Sequence, residues 1–118
     1  MLAAPDQPSA ELFAKISGGV HQLVDDRGGD QKWGIHAYRA MREAGFVDLS
    51  MTSFSESWQG GSAAIGLHSA NTVQVRAELV AKGLAAEAEV ETFLNLLDDP
   101  ELAVSSYPLF STSGRRPN

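Results

Sequence analysis

The spacing of apolar residues along the chain predicts four helices. In four segments apolar side chains recur at steps of three and four residues, which is the period of one helix face. These segments cover residues 9–27, 31–44, 62–82 and 86–98. Ser9 and Asp30 are suitable caps for the first two helices, because their oxygens can accept hydrogen bonds from free first-turn amides. The third helix is predicted to open at Ser62.

Two strands are predicted, one after the second helix and one after the fourth. Gly45 suits the left-handed position just past a helix end, so residues 46–54 enter a strand without a spacer. This strand alternates, with Val47, Leu49 and Met51 on one face and Asp48, Ser50 and Thr52 on the other. Residues 55–61 are polar and contain glycine, which predicts a loop. Residues 107–113 form the second strand, in which Pro108 must lie where the ladder needs no amide.

The predicted order is therefore α-α-β-α-α-β, with more helices than so few strands can support. Two strands do not make an independently stable sheet for four helices. They must recruit strands from another chain or belong to a larger α/β domain. Trp33 is predicted to lie in the core, on the same side of its helix as Ala37 and Met41. Gly18 and Gly19 indicate a weak point in the first helix or a close approach by another element.

Composition narrows the class of protein. A chain of 118 residues is long enough for one domain with a core. Its hydrophobic content of 43% and charged content of 20% are typical of a soluble globular protein. The net charge of -6 argues against nucleic acid or an anionic membrane as the main partner. Because the sequence has no cysteine, no signal-peptide pattern and no long apolar stretch, we expect a cytoplasmic protein.

Three residues between the predicted strands are candidates for substrate binding. His68 lies on the inner side of the third helix near Asn71, a place that suits a general base for a substrate hydroxyl or amine. The alternative is a hydrogen-bonded or partly exposed histidine without that role. Trp58 in its loop is suited to stacking on a substrate, or equally to anchoring the core. His21 and His36 have no second ligand at metal spacing, so no metal site is expected.

Six passages of the sequence, taken in order, resemble a known family. They are RGGDQKWG at 27–34, MREAGFVD at 41–48, GLAAEAEV at 83–90, FLNLLDDP at 93–100, YPLF at 107–110 and GRRP at 114–117. Together they resemble the C-terminal part of bacterial class I S-adenosylmethionine-dependent methyltransferases, of the kind that methylate small molecules. The likeness covers residues 9–117.

The resemblance implies a partial Rossmann-like methyltransferase fold. Residues 46–54 and 107–113 would be the sixth and seventh strands of a seven-stranded sheet, antiparallel to each other. Residues 55–106 would be a helical lid inserted between them over the substrate pocket, and residues 1–8 a lead-in to this single partial domain. The cofactor implied for the whole enzyme is S-adenosylmethionine, and the substrate is a small-molecule methyl acceptor.

The cofactor-binding half of that family is not found in this sequence. Its glycine-rich loop follows a strand and opens a helix, and neither Gly28-Gly29 nor Gly60-Gly61 is predicted to do so. The chain alone is therefore expected to bind no cofactor and to be inactive. One alternative is a non-catalytic α/β interaction module that forms a homodimer through an open strand edge beside Leu109 and Phe110. Another is a small-ligand binder that uses residues 55–72.

Overall fold

The computed structural model describes all 118 residues, which form four helices and four strands. In chain order these are α1 (Gln7–Asp26), α2 (Trp33–Glu43), β1 (Val47–Phe54), β2 (Ser57–Gln59), α3 (Gly66–Ala81), α4 (Glu87–Leu96), β3 (Ala103–Ser105) and β4 (Leu109–Arg115). β1 pairs with β4 and β2 pairs with β3, and both pairs are antiparallel. The predicted α/β class and the four helices are confirmed, and the strands form two separate sheets.

The β2–β3 sheet was not predicted, because residues 55–61 were assigned to a loop. Trp58 in β2 lies opposite Val104 in β3, which is fully buried. A three-residue strand has one inward side chain, which is too few for an alternating pattern to be recognised. Ala3 bridges to Ala103 and adds the start of the chain to the edge of this sheet.

Neither of the first two helices has the cap that was predicted. Asp6, not Ser9, caps α1: its carboxylate accepts a hydrogen bond from the Ser9 amide at 2.8 Å. Pro8 follows within the first turn, where its missing N–H is not needed. Asp30 does not cap α2 directly, because its carboxylate accepts from the Lys32 amide at 2.9 Å and closes a turn ahead of the helix.

Two further elements begin later than predicted. α3 starts four residues after Ser62, because the Ser62 amide donates to the Gln59 carbonyl and closes a turn instead of opening a helix. β4 starts two residues later than the predicted strand at 107–113. Pro108 has no amide to donate to a ladder, and it separates Tyr107 from the paired strand.

The end of α2 agrees with its prediction. Gly45 has a φ of 98°, in the left-handed region that favours glycine. Its amide donates to the Arg42 carbonyl and the Phe46 amide donates to the Met41 carbonyl, both at 3.1 Å. These two hydrogen bonds are those of a Schellman motif, and they turn the chain directly from α2 into β1.

One core lies where α1, α3 and α4 pack against one another. Its larger cluster takes its fully buried side chains from α1, α4 with its C-terminal end, and the chain around β3: Ile16, Val90, Phe93, Leu97, Leu102 and Val104. A smaller cluster joins α1 to α3 through Leu23, Val75 and Leu79. Gly19 of α1 lies against Leu79 of α3, where a Cβ on the glycine would be 2.9 Å from the leucine Cδ2. Gly19 therefore allows a close approach, which is one of the two alternatives predicted for the Gly18-Gly19 pair. We call α1, α3, α4, β2 and β3 the helical unit.

α2 packs on one face of the β1–β4 sheet, and we call these three elements the αβ unit. None of their residues is buried. The prediction that Trp33 lies in the core is wrong, because its side chain is 57% exposed. The sheet covers only one side of α2, where Gly34 approaches the ring of Phe110, and no element lies over the other side.

β1 contains one extra residue near its start. Val47 lies opposite Arg115 and Ser50 lies opposite Ser113, so three steps along β1 match two along β4. Asp48 absorbs the extra residue with a φ of 54°. Its carboxylate accepts a hydrogen bond from Arg115 Nε at 2.9 Å, which holds the bulge closed on the neighbouring strand.

The bulge places Val47 on the face that turns away from α2. Leu49 and Met51 remain on the α2 side, so the predicted alternation is right from Leu49 onward and wrong at Val47. The far face also carries Phe54 and Leu109, which lie opposite each other, are more than half exposed, and have no element over them.

The two units share no contact between their helices or strands, so the molecule is elongated. Its extents are 58 × 30 × 21 Å and its radius of gyration is 17.4 Å. A compact chain of this length has a radius of gyration of about 13.5 Å. The core of the helical unit therefore does not extend under the sheet of the αβ unit.

Phe93→Ala should lower the free energy of unfolding by about 3–5 kcal/mol, because the side chain is 1% exposed and its removal leaves a cavity among three helices. Phe54→Ala is the matched control. It removes the same side chain from the open face of the αβ unit and should change that free energy by less than about 0.5 kcal/mol. Urea denaturation followed by far-ultraviolet circular dichroism measures both. Equal losses in the two variants would contradict the placement of the core.

Candidate functional site

The structure brings the three predicted site residues together in the helical unit. His68 lies in the first turn of α3, Asn71 lies one turn later, and Trp58 lies in β2. His68 is only 8% exposed, whereas Asn71 and Trp58 are half-buried. The ring centroids of Trp58 and His68 are 5.8 Å apart. The imidazole of His68 is the centre of the cluster.

Three aromatic rings surround this imidazole. The centroid distances from His68 are 5.3 Å to Phe13, 5.8 Å to Trp58 and 5.0 Å to Tyr107. Phe13 and Trp58 meet the imidazole edge to face, a favourable geometry for ring pairs. The indole N–H of Trp58 donates to the Glu56 carboxylate at 3.0 Å. The rings hold the imidazole in one position and exclude bulk water from most of it.

The two nitrogen atoms of His68 have different surroundings. Nδ1 lies 3.3 Å from the hydroxyl of Tyr107, a long hydrogen bond in which either group can be the donor. Nε2 is buried and has no hydrogen-bond partner in the protein. Ser17 Oγ on α1 is also buried without a partner, although a helical serine can bond to the carbonyl one turn before it.

Ser17 and His68 line the same small cavity between α1 and α3. The other lining residues are Val20, His21, Asn71, Thr72, Phe93 and Tyr107. Its volume is about 10 Å³, close to the least that a single water molecule needs. Because each buried polar atom without a partner costs about 1–3 kcal/mol, the cavity favours a small group that can both donate and accept a hydrogen bond.

Burial lowers the pKa of His68, and the neighbouring His21 lowers this pKa further, because two positive charges would repel each other. The imidazole of His68 is therefore neutral at neutral pH. A neutral imidazole has one donor and one acceptor nitrogen. With Nδ1 engaged by Tyr107, Nε2 is the nitrogen left to bind a polar group in the cavity, as a donor or an acceptor according to the tautomer.

A groove of about 190 Å³ lies beside the cavity, also between α1 and α3. The groove and the cavity share Val20 and Asn71. The remaining groove residues are Val24, Arg27, Gln74 and Val75. The guanidinium of Arg27 forms an ion pair with Glu78. The groove therefore has three valines and three polar residues in its walls, and it borders the cavity of His68 at Val20 and Asn71.

Three members of the cluster were not predicted from the sequence. Ser17 lies between Phe13 and Val20 at helical spacing, so its position on the inner side of α1 could have been recognised despite its polarity. Tyr107 was assigned to a strand, and only the chain path after β3 brings it to His68. The ring of His21 is 6.5 Å from that of Tyr107.

The Gly60-Gly61 pair follows a strand and precedes a helix, contrary to the expectation, because β2 was not predicted. Its amides are nevertheless engaged: Gly60 N–H donates to the Leu102 carbonyl at 2.9 Å and Gly61 N–H to the Leu97 carbonyl at 2.8 Å. A Cβ on Gly60 would lie 1.8 Å from the Asp99 carbonyl oxygen. The pair packs against the end of α4, and its amides are not free to bind an anion.

The structure contains neither a metal site nor a helix that could span a membrane. The structure contains no group of three or more histidine, aspartate or glutamate residues placed to hold a metal ion. His36 pairs with Asp30 at 2.9 Å. No helix has the length and apolar character needed to cross a membrane.

His68→Gln should reduce the loss of stability that occurs as the pH falls below about 6.5. Burial and the neighbouring His21 lower the pKa of folded His68, so below its ordinary value of about 6.5 the unfolded chain takes up the proton first. Stability then falls with pH until the folded chain is protonated as well. The urea midpoint at a series of pH values measures this. A pH profile of His68→Gln equal to that of the unsubstituted chain would contradict this assignment.

Comparisons with known proteins complete the description of the chain. A scan of family models, a search of curated proteins and a search of solved structures each found no match. The function is therefore inferred from the six sequence passages and from the geometry of the site.

Proposed function

We propose that the chain is the C-terminal segment of a cytoplasmic S-adenosylmethionine-dependent methyltransferase that acts on a small molecule. In this proposal the αβ unit supplies an edge of the catalytic sheet and the helical unit supplies the substrate-pocket lid. The antiparallel pairing of β1 with β4 fits the sixth and seventh strands that the resemblance implies. α3 and α4 lie between these strands in sequence, where the resemblance implies the lid.

The observation that carries this proposal is the incomplete packing of the αβ unit. It has no buried residue, its sheet has two strands, and both outer edges of that sheet are unpaired. Phe54 and Leu109 lie exposed on the far face. A two-stranded sheet with one helix is marginal by itself, and unpaired edges favour the addition of strands. Strands beside β4 would complete the sheet where the family has its fifth strand.

The helical unit would hold the acceptor. It has its own core, and it contains Trp58, His68 and Asn71, which we propose as substrate-binding residues. The satisfied amides of Gly60 and Gly61 support a cofactor site on another part of the enzyme. The chain alone is accordingly proposed to be inactive, without nucleic-acid or membrane partners.

Calorimetry tests where the cofactor binds. The chain alone should show no binding of S-adenosylmethionine at concentrations up to about 1 mM, because it offers no free glycine-loop amides. Mixing it with the cofactor-binding half of a class I small-molecule methyltransferase, ended after its fifth strand, should give a complex that binds the cofactor. Micromolar binding by the chain alone, or failure of the two parts to associate, would overturn the proposal.

The complex also allows a matched control on the strand edges. Hydrogen-bonded and non-bonded residue pairs alternate along an antiparallel pair of strands. One of the two neighbouring pairs, Ser111–Thr52 or Thr112–Met51, is therefore non-bonded, and its two amides point to the outer edges of the sheet. Proline in the β4 member of that pair should abolish association with the cofactor-binding half. Proline directly opposite, in the β1 member, removes an amide from the free edge and should leave association unchanged.

The second candidate function is a non-catalytic interaction module that dimerises through the open edge of β4. The exposed Leu109 beside that edge favours it, because an unpaired strand with an apolar neighbour invites pairing with a second copy. Light scattering distinguishes the two functions. A discrete dimer at micromolar concentration that the outward-facing β4 proline converts to monomer would favour the module. A monomer, or a chain that aggregates without defined size, would favour the methyltransferase segment.

A further inference from the structure

We infer that the cavity at His68 and the groove outside it form one binding site for a small uncharged alcohol or arylamine. The hydroxyl or amino group enters the cavity between His68 Nε2 and Ser17 Oγ, and the carbon body lies in the groove between α1 and α3. This deepens the proposed function by naming the chemistry of the methyl acceptor. The binding of this ligand does not depend on the proposed function; only its methylation does.

The hydrogen-bonding requirement of the cavity selects the polar group. His68 Nε2 and Ser17 Oγ are both buried and both lack a partner in the protein. If the Tyr107 hydroxyl donates to Nδ1, then Nε2 carries the hydrogen and needs an acceptor; if Nδ1 donates, Nε2 needs a donor. A hydroxyl group satisfies either tautomer and can pair with the serine hydroxyl at the same time, whereas the amino group of an arylamine, which mainly donates, satisfies the tautomer whose Nε2 accepts. A carbonyl or ether oxygen can satisfy only one tautomer.

The charges around the site exclude ionic ligands. No aspartate or glutamate lines the cavity or the groove, so an ammonium group would find no counter-ion there. His68 is neutral at neutral pH, and the one guanidinium on the groove, that of Arg27, is already paired with Glu78. Burying an unpaired charge beside the imidazole would carry a large desolvation cost. Alkylamines, which are protonated at neutral pH, are therefore poor ligands, whereas alcohols and arylamines fit.

The dimensions of the two spaces set the size of the ligand. A cavity of about 10 Å³ admits one polar group and no carbon skeleton. The groove of about 190 Å³ is the size of space that holds a single benzene ring. Val20, Val24 and Val75 provide the apolar contacts for such a ring. Asn71, which borders both spaces, lies where the ring and its polar substituent join.

Benzyl alcohol and toluene, as matched probes, test the site on the full chain by nuclear magnetic resonance. Benzyl alcohol should shift the imidazole nitrogen resonances of His68 with a dissociation constant of about 1 mM. Toluene lacks only the hydroxyl and should bind about tenfold more weakly, because it leaves both buried polar atoms unpaired. Equal binding of the two probes, or no response of His68 to benzyl alcohol at 20-fold its expected constant, would overturn the inference.

A pair of threonine substitutions locates the binding site. Ser17→Thr keeps the hydroxyl and adds a methyl group at a cavity that has room for one small group, so it should weaken benzyl alcohol binding about tenfold. Ser9→Thr makes the same change at the start of α1, away from the cavity, and should leave binding unchanged. Equal affinities for Ser17→Thr and the unsubstituted chain, with both folded, would place the alcohol elsewhere. These titrations contain no cofactor and no second chain, so their failure is separate from failure of the methyltransferase proposal.

Discussion

The packing of α1 against α3 and α4 is the interaction on which the rest of the structure depends. It encloses both buried clusters of the molecule, and Gly19 lets the α1 backbone approach Leu79 more closely than a side chain would permit. The same crossing places Phe13 and Ser17 of α1 opposite His68 of α3. The core and the candidate site are therefore consequences of one helix contact, and a change in the angle between α1 and α3 would alter both.

The αβ unit has the opposite character, because local interactions hold its chain path without a core. The Schellman motif at Gly45 fixes the step from α2 to β1, and the pair between Asp48 and Arg115 fixes the bulge. Hydrogen bonds and exposed ion pairs of this kind define geometry more than they add stability. A unit with defined geometry and little buried apolar surface is suited to docking against a preformed sheet. This is why its exposure supports a role within a larger fold.

Features that depend on residues close together in the sequence could be predicted, whereas features that depend on distant contacts could not. The four helices and the stop at Gly45 arise from apolar periodicity and from one backbone conformation, and both were predicted. The start of α1 was predicted wrongly because Asp6, and not Ser9, caps the helix. The meeting of Tyr107 with His68 depends on a contact across 39 positions, which periodicity does not encode. Trp33 was misplaced because its pattern assumed a covering layer that this chain does not provide.

Packing alone does not account for His68. Its Nδ1 contact with Tyr107 has a structural use, because Tyr107 lies two residues before β4 and the contact fixes how the chain leaves the helical unit. That contact explains one nitrogen of the imidazole.

The other nitrogen and the Ser17 hydroxyl are buried without partners, at a cost of about 1–3 kcal/mol each. Folded domains have only about 5–15 kcal/mol of total stability, so two such atoms on residues that line one cavity are a substantial cost for a fold of this size. An apolar residue at position 17 would remove one of the two unpaired polar atoms and would leave the contact between His68 and Tyr107 unchanged. The arrangement is therefore better explained by a group that the cavity receives than by the needs of the fold.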